Sequence, residues 1–573
     1  MKKFNHRFYL ITGFAVLIVA GFINTASNAQ LRSGAGPGAG SGVKPVADST
    51  AIKTINAAGF KRHLAVLASD SLGGRKPFTK GETLTLDYLT RQCKDLALKP
   101  GNRGTYLQDV PMVEINSTAF DGLQIQGAKG TVRLSFKTDF VAITRRVQAA
   151  ISVQNSDVVF AGYGIVAPEY HWNDYAGLNV RGKTVLVLVN DPGYNDPTLF
   201  RGKNMTYYGR WTYKYEEAAR QGAAALLIIH DTGPASYPWS VVRSSNTGAK
   251  LHLQTPDNDL HRAAVEGWIT QESTHKIFQL AGVSEDEITK AGKPGFKGVD
   301  LRLTASVSLK NTIKRSTSHN VIAVLPGKTR PGEYIIYSAH WDHFGIGESV
   351  KGDSIYNGAI DNATGCAALL EIAGAFKAQK QAPGRSVVFL FVTAEEQGLL
   401  GSEYYASNPV YPVKKTVANL NIDALLADGP MKDISIVGYG QSELEDYAGR
   451  SASKQGRIIR KDPNPSRGSF FRSDHFNFAK VGVPALDPET GDISMEHGEA
   501  WGKAAKEDYT KNRYHQPSDN FEPTKWDLRG IVNDTRLLYD VGYTLSREST
   551  YPKWKPGSEF KAIREKSLSS LTD

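Results

Sequence analysis

Three continuous apolar, β-branched runs, each followed at once by acidic residues or a histidine, constrain this chain more than any other feature. Tyr334–Ser338 leads to His340 and Asp342, Ser386–Thr393 to Glu395 and Glu396, and Val417–Asn421 to Asp423. Such runs suit strands of a parallel sheet that is covered on both faces. Between the first two, Asp361 stands just before an apolar helical pattern, Gly365–Lys377. Ligands of open α/β sheets bind outside the carboxyl ends of the strands, so these side chains are expected to meet in one crevice. The predicted fold class is α/β: a mixed, mostly parallel central sheet with helices on both faces, carrying an inserted β-rich domain.

Imidazole and carboxylate are ligands that suit zinc. A pair of metal ions needs one carboxylate to bridge them. His340, Asp361, Glu396 and Asp423 supply such a set, and His515 in the late segment NRYHQPSDN supplies a fifth ligand. Adjacent side chains at a strand end point in opposite directions, so Glu396 can ligate while Glu395 stays free as a general base and acid. Asp342, two residues after His340, is placed to accept the second imidazole N–H and fix its tautomer. Blander readings exist for each residue alone. Asp361 could simply cap a helix, the Glu395–Glu396 pair could be solvated surface, and His343 and His475 read as wall residues. Ser473, Asp474 and His475 resemble a hydrolase triad in composition only, because three consecutive residues do not align a nucleophile, base and orienter. The metal reading rests on the joint occurrence at four separate positions.

A chain of 573 residues calls for two or three domains. Lys2, Lys3 and Arg7 precede the apolar run Phe8–Ile23 and a small-residue site ending at Ala29, so residues 1–29 read as a secretory signal peptide. Its removal takes three positive charges and no acidic ones, so the net charge falls from +10 to +7. That excess is spread along the chain without a Lys/Arg run, which argues against nucleic acid as a partner. No later stretch approaches 18 apolar residues, and no stable membrane insertion is expected after cleavage. Localisation is expected to be periplasmic or extracellular. Cys93 and Cys366 are too few for a disulfide scaffold, and a bridge between them stays open. Residues 30–48 are Gly/Ala/Ser/Pro-rich and read as a flexible leader. A first catalytic segment is expected over 49–140, an insert with its own strand–helix–strand grammar over 141–311, a second catalytic segment over 312–550, and a polar tail over 551–573.

The motifs AHWDH, GAIDNATG, TAEEQGLLGS, NIDA, RSDHFNFAKVGVPAL and YHQPSD, in this order, resemble the M28 family of zinc aminopeptidases. LASDSLGGRKP resembles the lead-in of its secreted bacterial members. VVFAGYGI, DYAGLNVRGKTVLVLVNDP and EEAARQGAAALLI resemble the protease-associated (PA) domain inserted in that family. The resemblance implies a zinc-exopeptidase fold and two Zn2+ per chain, although other divalent metals fit similar ligands. Asp361 becomes the bridging ligand, His340 and Asp423 complete one metal site, and Glu396 and His515 the other. Glu395 becomes the general acid/base, and Asp342 orients His340. Ser473, Asp474, His475, Tyr514 and Arg472 are the candidate substrate-pocket residues. Arg467 and Arg472 are the first places to look for a carboxylate clamp. The implied activity is removal of N-terminal residues from peptide substrates. Carboxypeptidase or dipeptidase action stays open, as does a non-catalytic binding protein with a vestigial metal site.

Overall fold

The structure is a computed structural model that describes residues 49–569. The expected signal peptide and leader, residues 1–48, lie outside the described residues. Among the described residues no helix is long and apolar enough to cross a membrane.

The helical pattern that the sequence shows from Ser49 to Ala68 is broken in the structure into a short turn, Ser49–Ile52, and a longer helix. Its main part is α1 (Ala57–Leu67), and Asn56 caps it by accepting from the N–H groups of Ala58 and Gly59 at 3.0 and 3.1 Å. Next come α2 (Lys80–Asp95) and the long strand β1 (Leu107–Gly127). The middle of the chain forms β2 (Ala150–Phe160), β3 (Thr184–Leu188), α3 (Trp211–Arg220), β4 (Ala225–Ile229), β5 (Val265–Ile269) and α4 (Gln271–Ala281). Strand β6 (Val299–Leu325) then leads to β7 (Arg330–His340), α5 (Thr364–Ala378), β8 (Arg385–Val392), β9 (Thr416–Asn421) and β10 (Ala485–Leu486). Helices α6 (Gly498–Asn512), α7 (Arg529–Arg547) and α8 (Lys561–Ser569) complete the sequence.

One sheet contains both halves of the molecule. One end of it runs β10-β9-β7-β8, all parallel, and the other half runs β2-β3-β4-β5, also parallel, with the strand Phe140–Ile143 antiparallel at its edge. Antiparallel pairing joins them through β6, which meets β8 near its carboxyl end and β2 near its amino end. Strand β1 pairs with β6 from Thr304 to Val321. The boundary expected at 311/312 therefore falls inside β6, so two long strands cross where the sequence suggests a seam. The predicted buried strands do alternate between two cores. Ile335, Tyr337 and Ala339 of β7 enter one core and Ile336 the opposite one. In the other half, Leu186 of β3 faces one core while Val185 and Val187 face another. Helix α5 is buried over nearly its whole circumference, as an apolar helix between a sheet and outer helices must be.

The last segment corrects an expectation. Residues 551–569 are not a loose tail: Trp554 and Phe560 are buried against Phe470, Phe471 and Phe476, and the buried Arg564 donates to the Thr416 carbonyl at 2.7 Å. Its few aromatics are too sparse to form a recognisable period in the sequence. Cys93 and Cys366 are both free and buried.

Candidate metal centre

The carboxyl ends of β7, β8 and β9 and the loop before α5 bring the expected ligands together. His340 Nε2 lies 3.0 Å from Asp361 Oδ1 and 3.2 Å from Asp423 Oδ1. On the other side of the same carboxylate, His515 Nε2 lies 3.2 Å from Asp361 Oδ2 and 3.2 Å from Glu396 Oε2. The two oxygens of Asp361 thus face two separate imidazole–carboxylate sets. Ligand atoms of His340, Asp361 and Asp423 converge within 4.8 Å of one another, and so do those of His343, Asp361 and Glu396.

Local structure explains why Asp361 is free for this position. The capping weighed as its blander role is done by Asn362, whose Oδ1 accepts from Gly365 N at 2.9 Å and whose Nδ2 donates to the Ile422 carbonyl at 2.9 Å. Asn362 therefore ties the α5 loop to the end of β9. Asp519 holds the loop from the other side by accepting the N–H groups of Ile360 and Asp361 at 3.0 and 3.1 Å. Sequence reasoning gave Asp519 no role, although it follows His515 within the quoted YHQPSD motif. Ala394, Ala424 and His515 have positive φ values of 51°, 53° and 56°. Each borders or belongs to the ligand set. Left-handed backbone at non-glycine residues costs on the order of 1–3 kcal/mol and collects at functional sites.

Asp342 acts differently from the expectation. The Nδ1–H of His340 donates to the Asp342 backbone carbonyl at 3.1 Å, while the carboxylate oxygen stands 3.8 Å away. A carbonyl only accepts, so Nδ1 carries the proton and Nε2 faces the carboxylates. The Asp342 carboxylate instead accepts the Glu395 N–H at 3.0 Å and anchors the Glu395–Glu396 turn. It is fully buried, and burial pushes it up to about 7.

The electrostatics show what the cluster lacks. Asp361, Glu395, Glu396 and Asp423 form ion pairs only with imidazoles, and among the described residues no Lys or Arg pairs with any of them. Burial pushes Glu395 well above the usual carboxylate range, and the neighbouring Glu396, Asp423 and Asp474 add to the rise against the pull of His340. Burial pushes down on His340, yet Asp423 and Glu395 hold it well above its ordinary value. His343, read from sequence as a wall residue, sits with Nδ1 2.6 Å from Glu396 Oε1. Neither of its ring nitrogens is aligned for a hydrogen bond, and Glu396 Oε1 is likewise left without one. The two atoms are close but not aligned, so this is an approach of two potential metal-ligand atoms and not a satisfied bond. A buried, carboxylate-rich set with orphaned ligand atoms fits divalent cations.

A cavity of ≈ 340 Å³ opens onto Asp361, Glu395 and Asp423, and Ser473, Arg472 and Tyr514 also line it. Ser473 Oγ donates to Asp423 Oδ2 at 2.7 Å and accepts from Asn421 Nδ2 at 2.8 Å, so it fixes a ligand. Tyr514 stacks on His515 with ring centroids 3.7 Å apart. Asp474 and His475, expected in the pocket, are buried behind it. Asp474 accepts from Ser402 Oγ at 2.6 Å, and His475 packs against Phe470. They begin a helical turn, His475–Lys480, that turns their side chains away from the cavity. Arg467 does not line the cavity; its carbonyl accepts from Arg472 at 2.9 Å. Arg210, at the start of α3, is the cation beside Arg472. Its guanidinium lies over the Trp211 ring at 5.4 Å and is pushed down to about 10 by burial and then by Arg472, and among the described residues its Nε makes no hydrogen bond.

Comparison with known proteins agrees with this geometry. Residues 320–539 match the model of peptidase family M28. Aminopeptidase NAALADL1 of Mus musculus is 34% identical over 122 residues, covering 20% of this chain and 15% of its own length. A probable leucine aminopeptidase 2 of Aspergillus oryzae is 27% identical over 344 residues, covering 58% of this chain and 62% of its own. The chain thus spans less than two thirds of these curated relatives. Among solved structures, an aminopeptidase from Aneurinibacillus sp. strain AM-1 aligns over 88% of this chain and 97% of its own, with 20% identity and a TM-score of 0.46. The family match contains His340, Asp361, Glu395, Glu396, Asp423 and His515. Residues 320–539 are a peptidase family M28 domain.

Proposed function

We propose that the chain is an exported zinc-dependent exopeptidase, an aminopeptidase that removes N-terminal residues from peptides. The observation that carries this reading is the Asp361 carboxylate, whose two oxygens face two imidazole–carboxylate sets with Glu395 beside them. Several of its curated relatives are named aminopeptidases, among them YwaD of Bacillus subtilis at 27% identity over 222 residues, while Carboxypeptidase Q of Xenopus laevis is 26% identical over 230 residues. His340, Asp361 and Asp423 would hold one Zn2+, and Asp361, Glu396 and His515 a second, with His343 behind Glu396. Bound zinc supplies Lewis acidity toward the scissile carbonyl and lowers the pKa of water.

The chain's own groups account for the rest. Glu395 Oε2 stands 4.0 Å from His340 Nε2 at the cavity wall and makes no metal-set pairing as short as those of Asp361. Its raised proton affinity suits a base that takes a proton from water and returns it to the leaving amine. Asp342 holds the Glu395 backbone in place. The carboxylates of Asp361, Asp423 and Glu395 favour a free substrate ammonium at that end of the cavity. Carboxypeptidase action is the second reading, favoured by Arg472 in the lining of the same cavity, which forms no ion pair among the described residues. Residues 141–311 are read as a PA domain that limits access to the cavity, and residues 1–29 as the export signal.

The test uses the chain from Gln30 onward and matched peptides with free and acetylated N-termini, followed by mass spectrometry with zinc and then with chelator. Stepwise N-terminal shortening of the free peptides alone, and only with metal, is expected. Cleavage insensitive to acetylation moves the assignment to the carboxyl terminus. No metal-dependent cleavage at all leaves a binding protein with a vestigial site.

A further inference from the structure

A second cavity, of ≈ 260 Å³, lies where the insert meets the catalytic segment. Arg201, Asn204, Tyr439, Gln441, Lys461 and Asp462 supply its polar lining. It adjoins the metal-site cavity through two stretches of shared backbone. Val437 lines the first cavity and Gly438 the second, while Ser469 lines the first and Gly468 and Phe470 the second. The junction is fixed by the Met205 N–H donating to the Pro465 carbonyl at 3.3 Å, and by Met205 packing among Phe470 and Phe471.

Two cations and one buried acceptor line it in a complementary way. Arg201 and Lys461 form no ion pair within 4.0 Å among the described residues; Lys461 lies over the Tyr439 ring at 5.7 Å. Glu559, the acidic neighbour whose proton affinity Arg201 lowers against burial, spends one oxygen on the Tyr207 N–H at 2.9 Å and keeps the other buried without a hydrogen bond among the described residues, so it offsets part of the Arg201 charge without forming an ion pair within 4.0 Å. Gln441 is 3% exposed, and among the described residues its Oε1 has no hydrogen-bond partner. The backbone N–H groups next to it at 440–442 are already taken by Glu445 Oε1 at 2.7–3.1 Å, so this end of the cavity offers an acceptor rather than an anion nest. A buried acceptor without a donor costs about 1–3 kcal/mol, and a ligand N–H removes that cost.

We propose that this second cavity is a subsite for the distal part of a peptide substrate: Gln441 Oε1 accepts a peptide N–H, and Arg201 with Lys461 binds a carboxylate. The inference rests on the exopeptidase reading for what lies in the first cavity. It adds that the insert contributes a side chain, Arg201, to substrate choice. An acidic side chain and a C-terminal carboxylate present the same chemistry, so the assay must separate them.

The experiment compares tetrapeptide acids, their C-terminal amides, and amides carrying a glutamate at the third or fourth position. Cleavage is measured with the full mature chain and with Arg201→Ala and Lys461→Met, both of which change side chains at least partly open to solvent. Losing a charge-assisted contact is expected to raise KM for carboxylate-bearing peptides about tenfold or more, with kcat little changed. Amides without glutamate are expected to be unaffected. If only acids respond, the ligand is the C-terminal carboxylate; if glutamate amides also respond, side-chain carboxylates are read. Equal effects on all peptides, or none on any, overturn the proposal. Calorimetric binding of the same peptides to Glu395→Gln needs no turnover. An acid-over-amide preference that Arg201→Ala removes there would uphold the subsite even if the wild-type chain cleaved nothing. Its absence there overturns the subsite even if cleavage is robust.

Discussion

Two buried charged clusters stand at comparable places in the two halves of the sheet, and they are resolved in opposite ways. In the insert half, Lys214 Nζ donates to the carbonyls of Tyr163 and Asn190 at 2.6 and 2.8 Å. Asp191, just past β3, accepts from Thr206 N, Thr206 Oγ1 and Gly193 N at 2.9, 2.7 and 3.0 Å. Asp174 accepts from Ile165 N and Trp172 Nε1 at 3.0 and 2.8 Å. Cation, acceptors and donors all come from the chain, so the network is closed. Past β7, β8 and β9 the carboxylates face one another with only imidazoles between them, and His343 and Glu396 keep orphaned atoms. Burying charge is tolerated only where it is paired. The first cluster therefore reads as structure, and the second as a site that needs ions from outside.

The largest effect should separate chemistry from both networks. Glu395→Gln keeps size and burial but removes the base. It is expected to lower kcat by about 10²–10⁴ while bound zinc and melting temperature stay near wild type. Steady-state kinetics together with metal analysis check this. A variant that loses its zinc as well would make Glu395 a ligand and collapse the distinction drawn between it and Glu396.

Metal removal sharpens the comparison next. Ligands that bind only the folded state stabilise it by about 2.7 kcal/mol at a hundredfold excess over Kd. Chelator is therefore expected to lower the melting temperature of the wild type. It should lower it far less in Asp361→Ala, whose shared carboxylate serves both sets, and calorimetry with and without chelator measures both. An equal shift in the two proteins would show that Asp361 does not hold metal.

What the sequence made legible follows the same division. Continuous apolar runs ending in charged residues located β7, β8, β9 and the residues beyond them, because strand burial and strand-end chemistry are both written locally. The predicted helix Gly365–Lys377 matches α5 to within a residue at each end. Residues that support the site were harder to read. Asp519 works through backbone N–H groups some 160 positions earlier, and no local pattern records such a pairing. His475 and Asp474 misled because their neighbours share a motif with the site, while the start of a helix turns them away. The seam at 311/312 misled because β6 keeps one strand pattern across both halves.

The insert network provides the converse test. Lys214→Met leaves the buried carbonyls of Tyr163 and Asn190 without their donor and is expected to cost about 1–3 kcal/mol of stability. Activity per folded molecule and the chelator shift should remain, since no metal ligand is touched. Urea denaturation gives the first quantity, and titration of active sites the second. If kcat falls at full folding, the two halves are functionally coupled and the closed network is more than a structural pin.

The smallest effect is expected from His475, which lies next to the metal half yet belongs to neither network. Burial pushes its imidazole down to about 3 from an ordinary value of 6.5, so it is neutral in the folded chain. Once unfolded it titrates near 6.5. Between those values the unfolded chain binds the extra proton, so stability rises with pH across that window and is lost as pH falls through it. One proton contributes at most about 1.4 kcal/mol per pH unit. Carboxylates titrate in the same range in every variant, so the informative quantity is the difference in slope between wild type and His475→Gln. Melting curves from pH 7 to pH 4.5 should fall more steeply for wild type. Parallel curves would mean that His475 is protonated in the folded state, with Asp487 Oδ2, 3.3 Å from its Nδ1, as the partner. The wall behind Asp423 would then contain a true ion pair, and the metal half would resemble the insert half more than its geometry suggests.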